Sequence, residues 1–323
     1  MKVLVADKLE KSALDGLAAL GCEVVSNPEL ADQALHDALT ETGAEALVVR
    51  STKVPREVMQ GSKLRLIVRA GAGYNTIDVD AATEQGIYVT NCPGKNSIAV
   101  AELAFGLMLS LDRFIPDNVS SLRAHKWNKK GFGKGKGLYG KTLGIIGFGS
   151  IGNEVAVRAK AFGMDVIVFS LGFSDKDAAA HGVKNAASLH EIAKNCDIVT
   201  VHVALTPETK GMIDASFFGA MRPGAFFINT SRGEVVVQSD LVEAVKSGHI
   251  VAGLDVFDGE PAATDSEYNG ELCSLEGVYV THHIGASTEQ AQEAVAEETV
   301  RIVKDFIATG TPPNAVNEPA ARV

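Results

Sequence analysis

The fold of this chain is decided by the stretch Thr142-Leu143-Gly144-Ile145-Ile146-Gly147-Phe148-Gly149-Ser150-Ile151-Gly152. Its apolar first half passes directly into the pattern Gly-x-Gly-x-x-Gly, and a helical pattern follows from Ser150 to Phe162. A second apolar strand pattern at residues 165–169 completes a βαβ unit. The glycine pattern alone is a weak signal, but between a strand and a helix it is typical of a dinucleotide site.

Each glycine of this loop has a separate physical task. Gly147 permits the tight turn, Gly149 lets a pyrophosphate approach the backbone, and Gly152 lets the helix pack closely on the strand. The helix start adds free N–H groups and the positive end of the helix dipole. A turn without a ligand and an S-adenosylmethionine site stay open as alternatives at this point. The predicted cofactor contacts in the loop are Gly147, Phe148, Gly149, Ser150, Ile151 and Gly152.

Composition and charge narrow the classes of protein that this chain can represent. Of the 323 residues, 46% are hydrophobic and 22% are charged, which is typical of a globular protein large enough for two domains. The formal net charge is −10 and no dense block of Lys and Arg occurs, so we expect no nucleic-acid partner. Several lysines lie among glycines between residues 129 and 141, and we interpret that stretch as a solvated loop.

The cysteines and the apolar segments indicate a cytoplasmic protein. The four cysteines lie far apart with no Cys-x-x-Cys pair, which favours reduced thiols over disulfides or a metal site. A strand pattern begins at Lys2, and no signal-peptide pattern precedes it. The longest apolar stretch, residues 98–111, contains Glu102 and is too short to span a bilayer. We therefore expect neither a membrane partner nor a bound metal.

Short β-branched runs alternate with helical patterns along the whole chain, as in parallel α/β sheets. A long helix is predicted near residues 287–308, and Pro312-Pro313 prevents its continuation. We predict an α/β fold with two doubly wound parallel-sheet domains, one flavodoxin-like and one of the Rossmann type. The predicted strands lie near residues 2–6, 22–25, 45–49, 65–68 and 87–89, and then near 142–146, 165–169, 197–203, 225–229, 250–254 and 278–281.

Arg232, Glu260 and His283 each follow one of the last three predicted strands. Ligands of open α/β sheets bind outside the carboxyl ends of the strands, so these positions favour a site. Taken singly, each residue is more often structural or solvated. Their joint occurrence in a domain with a dinucleotide loop is what favours a catalytic set.

These three residue types suit the reduction of a 2-oxo acid by a nicotinamide. Hydride transfer leaves an alkoxide that needs a proton, and histidine exchanges protons near neutral pH. A neighbouring carboxylate favours the imidazolium and orients it, and the planar fork of arginine binds a substrate carboxylate. We therefore predict Arg232, Glu260 and His283 as catalytic residues. Residue chemistry alone does not separate His283 from the adjacent His282.

Arg50 and Arg69 end strands of the first domain. Arg69 leads into a glycine-rich turn, residues 70–75, whose N–H groups could form an anion-binding nest. Two arginines and a nest suit a substrate with more than one negative charge. A tight turn beside two exposed arginines is an equally good interpretation of the residues alone.

Several motifs together are far more specific than the glycine loop. They lie at residues 69–78, 97–103, 140–147, 205–209, 229–233, 254–257 with 260–261, and 283–288. Through them the chain resembles the D-isomer-specific 2-hydroxyacid dehydrogenase family over nearly its whole length, and within it the members that act on 3-phosphoglycerate.

The resemblance implies a role for each candidate residue. Arg232 would bind the substrate carboxylate, Glu260 would support the histidine, and His283, which precedes Ile-Gly, would be the acid–base group. The implied substrate contacts are Arg50, Arg69 and the Gly71–Gly73 turn, in particular Ala72 and Gly73. The implied cofactor contacts outside the glycine loop are Ser170, Thr230, Ser231, Asp255 and Gly285.

The resemblance also implies the domain organisation and the partners. The substrate-binding domain would be discontinuous, formed by residues 1–96 and 287–323, and residues 97–286 would form the dinucleotide-binding domain. Members of the family pair through their cofactor domains, so we expect a homodimer. We also expect a short form, without the C-terminal regulatory domain of longer members.

The chain departs from the family pattern at three positions. Ser170 stands where an NAD-specific member has an aspartate for the ribose hydroxyls, and no arginine follows closely, as an NADP site would require. The expected cofactor is NAD, with NADP not excluded. His282 and Ala204 replace prolines that are common in the family.

The expected function is hydride transfer between NAD and a small D-2-hydroxy acid, with 3-phosphoglycerate and 3-phosphohydroxypyruvate first, a reaction of serine biosynthesis. The nearest alternative is a reductase of hydroxypyruvate, glyoxylate or another 2-oxo acid. An alternative of another class is a non-catalytic, corepressor-like sensor of NAD(H). A methyltransferase is the least favoured, since no residue requires a sulfonium ligand.

Overall fold

The computed structural model describes residues 1–261 and 266–319. The chain divides into two compact units, which we call the first unit (Met1–Asn96 with Ser287–Val323) and the second unit (Ser97–Ala286). Each contains one purely parallel sheet flanked by helices. The predicted α/β class with two doubly wound sheets is therefore confirmed.

The first unit is built on a sheet of five parallel strands in the order β2-β1-β3-β4-β5, the flavodoxin-like order. All four residues of β3 are buried, as expected for a parallel strand covered on both faces. Its elements are β1 (Lys2–Val5), α1 (Lys11–Ala19), β2 (Glu23–Ser26), α2 (Asp32–Thr42), β3 (Ala46–Val49), α3 (Arg56–Met59), β4 (Leu66–Arg69), α4 (Val79–Glu84) and β5 (Tyr88–Asn91).

The second unit begins with three helices and continues into a seven-stranded parallel sheet. The helices are α5 (Ser97–Arg113), α6 (Ile115–Arg123) and α7 (Lys129–Phe132). The remaining elements are β6 (Thr142–Ile146), α8 (Ser150–Ala161), β7 (Asp165–Phe169), α9 (Asp175–His181), β8 (Lys184–Asn185), α10 (Leu189–Asn195), β9 (Ile198–Val201), α11 (Ala215–Ala220), β10 (Ala225–Asn229), α12 (Gln238–Lys246), β11 (Ile250–Leu254) and β12 (Val278–Val280).

The strand order of this second sheet is β12-β11-β10-β9-β6-β7-β8. The order reverses between β6 and β9, because the chain adds β7 and β8 on one side and β9 to β12 on the other. This is the Rossmann arrangement with one additional edge strand, β12. The crevice at such a reversal point is where open α/β sheets bind their ligands, and the glycine loop follows β6 directly.

The chain returns to the first unit in a long helix, α13 (Glu289–Thr309), which is capped by the Thr288 side chain and ends at Gly310 with φ 74°. Its buried face, which includes Ile302 and Phe306, packs in the same core as the strands. The segment after the helix then covers the free edge of β5, where the N–H of Val316 donates to the carbonyl of Val89 (2.8 Å).

All strands predicted from the sequence are present, with ends within two residues of the prediction. One strand was missed: β8 has only two residues, Lys184 and Asn185, and so offers no apolar pattern. The lysine-rich stretch is largely exposed to solvent, as predicted, but part of it is ordered. It contains the single turn α7, and the buried carboxylate of Asp112 accepts hydrogen bonds from the N–H groups of Lys136 and Gly137 (2.9 Å each).

No helix in the described part of the chain is long and apolar enough to cross a bilayer. Residues 1–261 and 266–319 also contain no group of His, Cys, Asp and Glu side chains that could hold a metal ion. All four cysteines are free thiols; Cys22, Cys92 and Cys196 are buried and Cys273 is exposed.

Glu298 is a buried carboxylate at the centre of a polar network in the first unit. It is paired with Arg301 on the next turn of α13 and with Lys95 (3.3 Å), and Asn314 donates a hydrogen bond to it (2.7 Å). Hydrogen bonds from Arg301 first, and then from Asn314 and Lys95, outweigh the effect of burial and lower the pKa of Glu298 to about 2. The network therefore holds α13 against two other segments of the first unit, one containing Lys95 and one containing Asn314.

We expect Glu298→Gln to destabilise the protein at neutral pH and to have no effect in strong acid. The folded-state pKa lies below the unfolded one, so the stabilisation is complete above about pH 4.3 and is lost as the pH falls toward 2. At pH 7 the variant should lose on the order of 2–3 kcal/mol of unfolding free energy. Urea unfolding of both proteins at several pH values measures this difference. The control is Glu297→Gln, an exposed neighbour on the same helix, which should match wild type throughout. A difference that persisted undiminished near pH 2 would contradict this assignment.

Candidate active site

The glycine loop joins β6 to α8 and leaves open space on one side. Gly147 has φ 92°, and an added Cβ would overlap the backbone carbonyl of His202, which follows β9. A Cβ on Gly152 would overlap the carbonyl of Gly147, so α8 lies directly against the turn. A Cβ on Gly149, by contrast, would meet nothing within 4 Å. The loop therefore has both the close packing and the free approach that a dinucleotide pyrophosphate requires.

The turn after β7 is where a Rossmann domain contacts the ribose of the adenosine half. The backbone carbonyl of Ser170 accepts a hydrogen bond from the N–H of Phe173 (3.1 Å), and Gly172 occupies the left-handed position of the turn with φ 74°. Phe173 packs on Phe148 of the glycine loop, with ring centroids 4.7 Å apart, and Phe148 also contacts His181. The turn that carries Ser170 is thus fixed to the glycine loop by aromatic packing.

The loop after β10 carries Arg232 and is shaped by the buried amide of Asn229. The Asn229 Oδ1 accepts hydrogen bonds from the N–H (3.0 Å) and the Oγ (2.8 Å) of Ser231, and its Nδ2 donates to the carbonyl of Arg232 (2.9 Å). Burial lowers the pKa of Arg232, and the charges of Glu234 and Glu260 act in the opposite direction. A guanidinium desolvated in this way gains more than an exposed one from pairing with an anion.

Glu260 and His283 form a direct pair. The Nδ1 of His283 lies 2.8 Å from Oε2 of Glu260, and Oε1 of Glu260 accepts a hydrogen bond from the N–H of Phe257 (3.0 Å). An ionised carboxylate only accepts, so Nδ1 carries a proton and Nε2 is the nitrogen left to exchange one with a ligand. About half of the His283 side chain is exposed. The imidazole is therefore both oriented and accessible.

Close backbone contact brings the Arg232 loop to the Glu260 loop. An added Cβ on Gly233 would overlap the backbone of Phe257 and Asp258, so the two loops can approach only because residue 233 is glycine. The second unit thus places the three predicted catalytic residues in one region, through the Glu260–His283 bond and through the field of Glu260 at Arg232.

Asp255 follows β11 and is 1% exposed. Its Oδ1 accepts hydrogen bonds from the Oγ1 of Thr281 (2.6 Å) and the N–H of Ile284 (2.9 Å), and its Oδ2 accepts one from the N–H of Gly285 (2.8 Å). The Asp255 carboxylate therefore fixes the loop that contains His283. His282, in the same loop, is exposed.

His202 is a buried histidine that sequence analysis did not single out. It follows β9, its Nε2 lies 2.9 Å from the Oγ1 of Thr200, and its Nδ1 lies 3.5 Å from the Oγ1 of Thr230. Burial lowers its pKa to about 3, so the imidazole is neutral at physiological pH. Asn229 and Thr281 were missed as well. All three residues end or follow a strand, and the rule that selected Arg232 at the carboxyl edge could have selected them.

The candidate substrate residues belong to the first unit. Asp7, after β1, accepts hydrogen bonds from the N–H groups of Arg50 (2.6 Å) and Thr52 (3.1 Å) and so shapes the loop that carries Arg50. Arg50 lines an open pocket of about 730 Å³ within this unit, beside three glutamates. These are Glu10, Glu289 and Glu293.

Arg69 and the turn that follows it are packed together. The Arg69 guanidinium lies against Gly71, whose φ of 149° and missing side chain make room for it. The turn is held to the end of β5, since the Nδ2 of Asn91 donates to the carbonyl of Ala72 (2.6 Å) and the N–H of Cys92 donates to that of Gly71 (2.8 Å).

The chain is similar to known proteins over nearly its whole length. Residues 105–285, within the second unit, match the sequence model described as "D-isomer specific 2-hydroxyacid dehydrogenase, NAD binding domain". A D-3-phosphoglycerate dehydrogenase of Methanocaldococcus jannaschii is 42% identical over 326 residues, which cover 99% of this chain and 60% of that protein. The chain thus spans about 60% of the length of the D-3-phosphoglycerate dehydrogenases that it matches.

Two further relatives match over nearly their whole length. A hydroxypyruvate reductase of Thermotoga maritima is 42% identical over 309 residues, which cover 94% of this chain and 98% of that protein. The crystal structure of the TT0316 protein from Thermus thermophilus superposes with a TM-score of 0.88 at 34% identity and covers 98% of this chain and 100% of that one. The chain belongs to the D-isomer specific 2-hydroxyacid dehydrogenase family.

Proposed function

We propose that this protein is an NAD-dependent D-2-hydroxyacid dehydrogenase that interconverts 3-phosphoglycerate and 3-phosphohydroxypyruvate. The observation that carries the proposal is the Glu260–His283 pair beside the desolvated Arg232, in the same unit as an open glycine loop. The choice of substrate is supported by several relatives named D-3-phosphoglycerate dehydrogenase at 39–42% identity over 98–99% of this chain.

In the proposed reaction each of the three side chains acts on a different part of the substrate. Arg232 binds the carboxylate through its two parallel N–H groups and so orients the adjacent carbonyl. The Nε2 of His283 donates a proton to the alkoxide that forms during reduction and accepts it during oxidation. Glu260 holds the ring through its hydrogen bond to Nδ1. Residues 147–152 would hold the pyrophosphate of the dinucleotide, whose nicotinamide would supply the hydride in reduction and take it up in oxidation.

A hydroxypyruvate reductase is the second candidate. It is favoured by the Thermotoga maritima relative, which this chain matches over 98% of that protein's length. The two candidates share the chemistry at C2 and differ in whether the substrate carries a phosphate. We propose that Arg69, with the Ala72-Gly73 turn, binds that phosphate. Arg50 is the weaker candidate, because three glutamates line the same pocket. A sensor without catalysis would leave the Glu260–His283 pair without a task.

The first prediction of the proposed function concerns the substrate. Initial rates with NADH should give a kcat/KM for phosphohydroxypyruvate at least about 10-fold above that for hydroxypyruvate, glyoxylate or pyruvate, since a charge-assisted bond to a phosphate contributes roughly 1.5–3 kcal/mol. Arg69→Gln should remove the preference and keep the rate with hydroxypyruvate. The matched control is Arg65→Gln, which alters an arginine paired with Glu45 in the same unit. This variant should keep the preference for phosphohydroxypyruvate. Equal rates with and without the phosphate in the wild-type protein would favour the second candidate.

The second prediction concerns the cofactor. We propose NAD, because the turn after β7 runs into Asp175 and Asp177, and hydrogen bonds from Ser174 lower the pKa of Asp177 and keep it charged. These charges oppose a 2′-phosphate, but Ser170 cannot hold the ribose hydroxyls as an aspartate would. Fluorescence titration should therefore show NADH binding a few-fold tighter than NADPH. Ser170→Asp should increase the ratio of the NADPH Kd to the NADH Kd by roughly 10-fold or more, whereas the uncharged Ser170→Asn should leave this ratio unchanged. Tighter binding of NADPH by the wild-type protein would refute this choice.

The third prediction concerns assembly. One stripe of α6 is apolar and exposed, with Ile115, Val119 and Leu122 each 43–50% exposed, and Trp127 beyond the helix is 82% exposed. We propose that two copies pair through this face of the second unit. Sedimentation should show that the wild-type protein is a dimer. Val119→Asp should shift the equilibrium toward the monomer, whereas Ser120→Asp, one residue further along the helix, should leave the dimer unchanged. A monomeric wild-type protein would contradict the proposal.

We also propose that the protein lies in the cytoplasm, because its four free thiols fit a reducing compartment.

A further inference from the structure

His283 has a backbone conformation that a residue with a side chain seldom adopts. Its φ is 51°, in the left-handed region, and it lies three residues beyond the end of β12. Such a conformation costs free energy and persists only where the surrounding structure imposes it. The extended backbone of β12 therefore does not continue to His283, and the alternation of side chains along that strand does not determine where His283 points. Some other interaction must determine where the imidazole points.

Asp255 supplies that interaction from both sides of His283. Its backbone carbonyl accepts a hydrogen bond from the N–H of His283 (3.0 Å), and its carboxylate binds Thr281 before it and Ile284 and Gly285 after it. Asp255 itself is anchored to the sheet, because its N–H donates to the carbonyl of Asn229 at the end of β10 (2.9 Å).

The contact also leaves little room for a side chain at residue 285. A Cβ built on Gly285 would lie 3.0 Å from Oδ2 of Asp255, tighter than ordinary packing allows. A carboxylate offers about four acceptor positions, and three of those of Asp255 are used within this one loop. Most of the hydrogen-bonding capacity of the buried Asp255 carboxylate is thus used to bind the loop that contains His283.

We propose that Asp255, together with Thr281, is a positioning residue that holds His283 in the left-handed conformation and so keeps Nδ1 on Glu260 and Nε2 free for the substrate. The inference rests on the proposed function, because it assigns His283 the proton transfer. It differs from the role that the family resemblance implied for Asp255, a direct contact to the cofactor. The two roles predict different effects on cofactor binding.

The test is a double-mutant cycle with Asp255→Asn and His283→Ala, read by kcat and by the Kd for NADH. The amide has one acceptor oxygen, so at least one of the N–H groups of Ile284 and Gly285 must face a donor. Asp255→Asn should lower kcat by roughly 10- to 100-fold with the NADH Kd unchanged, and should have no further effect when His283 is already Ala. A loss of NADH affinity of similar size in both backgrounds would overturn the proposal in favour of direct cofactor contact.

Thr281 gives a second, milder test. Thr281→Val removes one hydrogen bond to Asp255 and should lower kcat several-fold without changing the NADH Kd, and Thr281→Ser, which restores the hydroxyl, should recover most of the loss. Asp214→Asn is the matched control for stability. The Asp214 carboxylate also accepts two backbone N–H groups and one hydroxyl, at the start of α11, so this variant should alter the melting temperature but not kcat. Equal kcat in Thr281→Val and wild type would count against the proposal.

Amide hydrogen exchange separates this inference from the proposed function. In the wild-type protein the N–H groups of Ile284 and Gly285 should be protected, and Asp255→Asn should increase their exchange at least about 10-fold while amides of β6 stay unchanged. If the wild-type protein turns over none of the 2-oxo acids, the proposed function fails, and this exchange still tests the hold of Asp255 on the loop. Unchanged exchange in Asp255→Asn would refute that hold.

Discussion

Loops that follow parallel strands have N–H groups without a partner in the sheet, and in this protein side-chain acceptors placed just beyond the strand ends satisfy them. Asp7 does so for the loop that carries Arg50, Asn229 for the loop that carries Arg232, and Asp255 for the loop that carries His283. Each acceptor lies at the carboxyl end of one strand and binds a loop that leaves that strand or a nearby one. The candidate functional side chains are thus carried by loops that are fastened to the ends of the strands.

The second requirement is close approach between backbones. Gly147 and Gly152 allow the glycine loop to pack on its own helix and on the end of β9, and Gly233 allows the Arg232 loop to contact the loop of Phe257. At these positions any other residue would place a Cβ inside a neighbouring carbonyl or peptide. Gly149 differs, since its surroundings are empty and its lack of a side chain serves a ligand instead.

The sequence predicts the fold well because its main signal is local. Alternation of short β-branched runs with helical patterns defines the two sheets, and strand β8 escapes only because Lys184 and Asn185 are polar. The site is predicted in part. Arg232, Glu260 and His283 could be found because charged side chains after strands are conspicuous. His202, Asn229 and Thr281 also end or follow strands, but their residue types do not show what they bind. The hydrogen bonds of His202 and Thr281 join residues 26–28 positions apart, and the hydrogen bonds of Asn229 depend on its burial. The αL conformation of His283 has no local signal either, because Asp255 imposes it from another strand.

The account depends most on the pairing of a carboxylate and an imidazole that transfers a proton to the substrate. The direct measurement is single-turnover oxidation of NADH by phosphohydroxypyruvate in His283→Ala and Glu260→Gln, with the NADH Kd determined separately for each protein. The account predicts a rate reduced by roughly 100- to 10,000-fold in His283→Ala and by a smaller factor in Glu260→Gln, at unchanged NADH affinity. A near-normal rate in His283→Ala would contradict it.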